Sequence, residues 1–169
     1  MTGYNELKGA GQILVVEDDP VQRRLLKNAI ERSGHVVHQA ENGRIGLEMV
    51  KRDPALFNVI VLDLMMPEMT GLEFLEALHD FGTQIPVIVQ TGQGGIETVV
   101  QAMRAGAYDF REKPFASDAL LDSVRRALAL RRLVLDNRSL RMALSDRNEL
   151  SARLVGQSAP MLRLREQIG

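Results

Sequence analysis

Hydrophobic residues along the chain fall into two alternating patterns. Short, nearly unbroken apolar runs at 13–16 (ILVV), 35–39, 58–62 (NVIVL), 86–90 (PVIVQ) and 108–111 read as β-strands. Between them, 21–32, 44–51, 72–79 and 96–105 repeat apolar residues at spacings of three and four, which gives a helix one apolar face. Strand and helix therefore alternate five times. Because ILVV and VIVL lack polar alternation, they suit strands covered on both faces, and the predicted fold is α/β: a five-stranded parallel sheet between helices, with an extended C-terminal helix. Local signals mark the boundaries. Asp19 is a good N-cap with Pro20 at the first helical position, and Gly34, Gly82 and Gly106 stand where helices should end.

From Ser117 the pattern changes, since helix formers run to about Glu149 without Pro or Gly. Leu120, Leu121, Val124 and Leu128 are expected to face the sheet. Beyond them, Leu130, Leu133, Asn137, Leu140 and Leu144 alternate by three and four, a seam suited to a dimeric coiled coil in which Asn137 sets register and partner number. Two other readings stay open: a stripe at Leu121, Leu128, Leu135 and Met142, and a solvated linker carrying eight Arg between Arg125 and Arg153. The expected organisation is a tail over 1–11, a domain over 12–129, a linker helix over 130–153, and over 154–169 the truncated start of a further domain.

Composition narrows the chemistry. Forty-five per cent hydrophobic residues in 169 suffice for one core with an appendage, and a net charge of −1 supplies no field to attract nucleic acid or an anionic membrane. The absence of cysteine excludes thiolate sites and disulfides. With no apolar run long enough to span a bilayer and a polar first dozen residues, the chain reads as soluble and cytoplasmic.

In an open parallel sheet, ligands bind outside the carboxyl ends of the strands. Those ends deliver Glu17 and Asp18 from the first strand, Asp63 from the third, Thr91 from the fourth and Lys113 after the fifth. Carboxylates so close repel by on the order of 1 to 4 kcal/mol per pair at about 4 Å, so a cation must hold them together. A hard divalent ion with oxygen ligands, Mg²⁺, fits this set, and Lys113 adds a fixed positive charge. The constellation reads as a phosphoryl site on a carboxylate: Asp63 attacks in line while metal and Lys113 neutralise the transferring oxygens.

At these residues the chain resembles the receiver domains of two-component response regulators, the CheY-like family with its flavodoxin-like fold. The matching pieces are ILVVEDDP, VIVLDLMMPEMTGLEFL, IPVIVQTG and AGAYDFREKPF. The resemblance implies that Asp63 is the phosphoacceptor, that Asp18 and Asp63 bind Mg²⁺ with the main-chain carbonyl of Met65, and that Glu17 completes the acidic pocket through water. Asp19 is left to cap its helix. Thr91 and Phe110 fall on the family's hydroxyl and aromatic switch, Phe110 at a position often held by Tyr, and the Lys113–Pro114 peptide matches one that is cis in the family. TGQGG and LVGQSAPMLRLREQI are similar to NtrC-type activators of sigma-54 transcription, in which receiver and linker helix precede an AAA+ ATPase. Implied partners are a sensor histidine kinase, a second copy through the linker helix and the face of the fourth helix, fifth strand and fifth helix, and the AAA+ domain of a longer protein. No nucleic-acid or membrane contact is expected from this stretch, and no GxxxxGK[ST] loop is present, so ATP hydrolysis by that route is excluded.

Two rivals belong to other classes. A Mg²⁺-dependent phosphatase also uses an aspartate after a strand, but it carries a second acid two residues on, where this chain has Met65. A dimerisation module with a vestigial pocket would ignore phosphoryl analogues. His35, His38 and His79 are too scattered for a metal site, and the glycines of TGQGG fit no nucleotide loop.

Overall fold

The computed structural model describes residues 10–92, 96–113 and 117–155. Five strands, β1 (Gln12–Val16), β2 (Val36–Ala40), β3 (Val59–Asp63), β4 (Val87–Thr91) and β5 (Asp109–Glu112), form one parallel sheet in the order β2-β1-β3-β4-β5. The connecting helices are α1 (Pro20–Arg32), α2 (Gly43–Arg52), α3 (Gly71–Phe81) and α4 (Ile96–Arg104), followed by α5 (Ser117–Val155). The fold is the expected α/β sandwich. Strands β2 to β5 each start and end one residue later than their hydrophobic runs suggest, because pairing follows the backbone: Asp63 pairs with Gln90, and Thr91 with Glu112. Asp63 and Thr91 are thus the last rungs of their strands. The final helix also extends beyond Glu149 to Val155, as nothing between them breaks it.

Burial follows strand order. The three inner strands are almost wholly buried, whereas β2 and β5, each with one free edge, carry exposed residues. Two apolar layers result. Leu14, Ile60, Leu62 and Val89 meet Leu47, Phe74, Leu75 and Leu78 on one face; Ile13, Val15, Val59, Val61 and Ile88 meet Leu26, Ile30, Leu120, Val124 and Leu128 on the other. Completely burying one such Leu, Ile or Phe contributes about 1.5–3 kcal/mol, so these layers are the main source of stability.

The predicted cap at Asp19 and helix ends at the three glycines are present, joined by two caps that were not predicted. Asp19 accepts a hydrogen bond from the Val21 amide with Pro20 in the first turn, and Asn42 and Thr70 cap α2 and α3. Gly34, Gly82 and Gly106 adopt φ of +89°, +86° and +107°, a left-handed backbone that would strain any other L residue.

The chain divides after Arg131 into two compact units. Within the first, Leu120, Val124, Ala127 and Leu128 of α5 are buried and Leu121 is partly so. Two members of the competing stripe, Leu121 and Leu128, are therefore core residues. Leu130 belongs to the same unit and is 38% exposed. In the second unit Leu133, Asn137, Leu140 and Leu144 are exposed, as are Leu135 and Met142. Among the described residues no helix is long and apolar enough to cross a membrane. Of the expected ATPase start at 154–169, Leu154 and Val155 instead continue the last helix and the rest lies outside the described residues, as do the Lys113–Pro114 bond and Gln93, Gly94 and Gly95 of the TGQGG loop.

A close backbone approach fixes the turn out of β3. A Cβ on Gly71 would stand 2.6 Å from Leu64 Cα and 2.8 Å from the Asp63 carbonyl oxygen. Gly71→Ala should lower unfolding stability by about 1–3 kcal/mol in urea titrations, since backbone on both sides must move.

Candidate functional site: an acidic cleft at the carboxyl edge of the sheet

Each functional side chain is delivered by the end of a strand. Glu17 and Asp18 follow β1, Asp63 closes β3, Thr91 closes β4 and Lys113 follows β5. Glu17, Asp63 and Thr91 are buried, while Asp18 is the most open of the acids. Carboxylate oxygens of Glu17, Asp18 and Asp63 lie within 4.8 Å of one another. The Lys113 ammonium reaches into this group, donating to Glu17 Oε1 at 3.0 Å and lying 3.3 Å from Asp63 Oδ2. One cation thus bridges two buried acids.

The remaining contacts hold the acids in place. The Met65 amide donates to Asp63 Oδ1 at 3.1 Å. Arg23, from α1, donates to the main-chain carbonyl of Glu17 at 2.8 Å and to that of Asp18 at 3.4 Å, clamping the acidic loop through its backbone. The Lys113 amide donates to the Thr91 carbonyl at 2.7 Å, extending the ladder one step past the strands. Thr91 Oγ1 and Glu17 Oε2 are buried with no hydrogen-bond partner among the described residues. Phe110 lies on β5, 37% exposed, and Met65 stands at the rim, 68% exposed.

Burial pushes the Glu17 carboxyl up to about 8, reinforced by its neighbour Asp63 and opposed by Lys113. Burial alone would lower the Lys113 pKa, but the hydrogen bond to Glu17 and the charges of Asp63 and Glu17 outweigh it and raise the value. Lys113 therefore stays cationic and Glu17 holds its proton more readily than an exposed glutamate does.

The family model for the response regulator receiver domain matches residues 13–125. The chain belongs to this receiver family. It is 50% identical, over its full length, to the C4-dicarboxylate transport transcriptional regulatory protein DctD of Pseudomonas aeruginosa, of which it covers 36%. Among solved structures, the receiver domain protein of Clostridium thermocellum superposes with a TM-score of 0.70 at 25% identity, over 73% of this chain and 98% of that one. The NtrX structure of Brucella abortus in complex with ADP gives 0.69 at 33% identity, over 78% of this chain but 29% of that one. This receiver spans about a third of the length of the first curated relatives it matches.

Several polar contacts of the receiver domain were not legible in advance. Arg23 acts on main-chain carbonyls, which no side-chain motif announces. Gln90 is fully buried in β4, and a lone polar residue inside VIVQT was the available signal. Asp109, Arg111 and Ser123 join β5 to α5: Arg111 Nε donates to Ser123 Oγ at 2.8 Å, and Ser123 Oγ donates to Asp109 Oδ2 at 2.8 Å. Two histidines make packing contacts away from the cleft. His35 Nδ1 accepts from the Gly11 amide, and His38 meets Gln12 and the Phe57 ring.

The raised Glu17 value has a stability consequence. Between the ordinary value of 4.5 and about 8, the folded chain holds a proton that the unfolded chain has released, so stability falls as pH rises through this window and levels off above it. Thermal melts in chelator should show that decline, and Glu17→Gln should flatten it and melt higher than wild type at the alkaline end.

Proposed function

We propose that this receiver accepts a phosphoryl group on Asp63 from a histidine kinase in the cytoplasm and relays the change through its linker helix to a larger transcription activator. The observation that carries the reading is the meeting of Glu17, Asp18 and Asp63 within 4.8 Å, beside an ammonium 3.3 Å from Asp63. An Asp63 carboxylate oxygen attacks phosphorus in line, the bond to the donor imidazole nitrogen breaks, and that electron pair remains on the imidazole. Lys113 offsets the charge on the transferring oxygens, and the Met65 amide keeps the carboxylate aimed.

The donor set fits a hard divalent ion: all oxygen, with the buried Glu17 Oε2 lacking a partner among the described residues. Mg²⁺, held by Asp18, Asp63 and the Met65 carbonyl with Glu17 behind a water, would when bound neutralise the charge gathered at the phosphoryl oxygens. Thr91, buried with its hydroxyl unpaired among the described residues, donates to the acyl phosphate as it moves toward it. Phe110 then turns inward from its half-exposed place on β5, altering the face of α4, β5 and α5.

Output runs through the linker, residues 130–153. The exposed Leu133, Asn137, Leu140 and Leu144 continue from Leu130 as the seam between two copies. The similarity to DctD, whose name describes transcriptional regulation, supports control of transcription by the longer protein, in keeping with an NtrC-type sigma-54 activator whose AAA+ domain follows.

Beryllofluoride, a mimic of acyl phosphate, should bind with Mg²⁺ and shift the mass in solution; Asp63→Asn should abolish binding. A wild-type chain that ignores beryllofluoride would rule out the phosphoacceptor role. Acyl phosphate on Asp63 should hydrolyse slowly, because the Met65 thioether cannot orient water, and Met65→Asn should shorten its lifetime several-fold in label-loss assays. Asn137→Leu should change the number of copies that associate, read by light scattering.

A further inference from the structure

Gln90 is the one fully buried carboxamide among the described residues, and neither its Oε1 nor its Nε2 has a hydrogen-bond partner there. Such burial is costly, because the amide gives up its water and regains nothing. Its place in the sheet is informative. Gln90 pairs in register with Asp63 on β3 and with Arg111 on β5, so it lies between the candidate acceptor and the residue that links β5 to α5.

Strand alternation fixes which way it points. Val87 and Val89 pack in the layer with α2, α3 and α4, while Ile88 packs with α1 and α5. Successive side chains face opposite sides, so Gln90 shares the α5 face with Ile88, and Thr91 follows Val89 on the other. Asp63 shares the Gln90 face, since Val59 and Val61 lie in that same layer. On that face Arg111, Ser123 and Asp109 already form a connected polar group, and Arg126 Nη2 lies 3.6 Å from Asp109 Oδ2.

We propose that Gln90 is a second positioning residue of the phosphoryl switch: its carboxamide gains a partner when Asp63 is phosphorylated and passes the change through β5 and Arg111 to Ser123 on α5. This rests on Asp63 being the acceptor. Thr91 then reports on one face of β4 and Gln90 on the other, so a single event at Asp63 reaches both helical layers. The unpaired amide disfavours the unmodified state, and its pairing favours the modified one.

Gln90→Leu keeps the volume and removes the polar atoms, and Gln90→Met serves as a second variant should leucine pack badly. Both are compared with wild type in the 169-residue chain. Without beryllofluoride, at least one variant should melt about 2–4 °C higher than wild type. With Mg²⁺ and beryllofluoride, binding should weaken about three- to tenfold, since the variants stabilise the resting state and forgo the pairing that favours the modified one, and at saturation the backbone amide shifts at Arg111 and Ser123 should lose half or more of their response. If both variants melt below wild type, the carboxamide is satisfied in the resting state, by buried water for instance, and the proposal is overturned. Full-size shifts at Arg111 and Ser123 overturn it equally. Failure of the wild-type chain to bind beryllofluoride overturns the assignment of Asp63 itself, whereas wild-type binding with an unaltered variant response removes only the role of Gln90.

Discussion

A single ammonium group between two buried carboxylates is the contact on which the cleft depends. Lys113 reaches Glu17 and Asp63, whose side chains are 1% and 5% exposed. Burying either acid alone would cost several kcal/mol, so the cation is what permits both to sit inside the sheet edge. The bridge also spans distance. In the sheet order β1 and β5 are separated by β3 and β4, three inter-strand spacings or about 14 Å. Two long side chains close that gap and bind the first strand to the last across the mouth of the cleft.

The rest of the sheet supports this contact. Parallel strands with apolar residues on both faces can be pinned between helices, and the charged groups of the cleft gather at the strand ends. Glycine completes the arrangement at Gly71, where the chain turns back against Leu64 and the Asp63 carbonyl. The acidic loop is fastened from the other side by Arg23, which grips carbonyl oxygens and leaves the carboxylates available.

Much of this was legible from the chain alone, and for stated reasons. Runs such as ILVV and VIVL admit few environments, and the Asp19–Pro20 pair marks a helix start, so elements and order followed. The residues of the cleft could be named because parallel topology sends every strand end to one edge. Register was less accessible: hydrophobicity does not distinguish Asn58 from Asp63 as a strand terminus, and the ladder settled it one residue along. Main-chain contacts such as that of Arg23, and the pairing of Arg111 with Ser123 twelve residues on, depend on three-dimensional approach that no periodicity encodes. Of the alternative stripe on α5, Leu121 and Leu128 pack in the core, whereas Leu135 and Met142 are exposed.

The three consecutive acids Glu17, Asp18 and Asp19 are sorted by the fold into different tasks: one is buried, one stands at the rim, and one turns away to hold the first turn of α1. That diversion sets the charge of the cleft. With Asp19 excluded, Glu17, Asp18 and Asp63 against Lys113 leave a deficit of two positive charges when all are ionised, the charge of one divalent ion. Had the cap been supplied by a serine and Asp19 turned inward, a fourth carboxylate would have been added to the same narrow space, deepening the repulsion that Lys113 alone must offset.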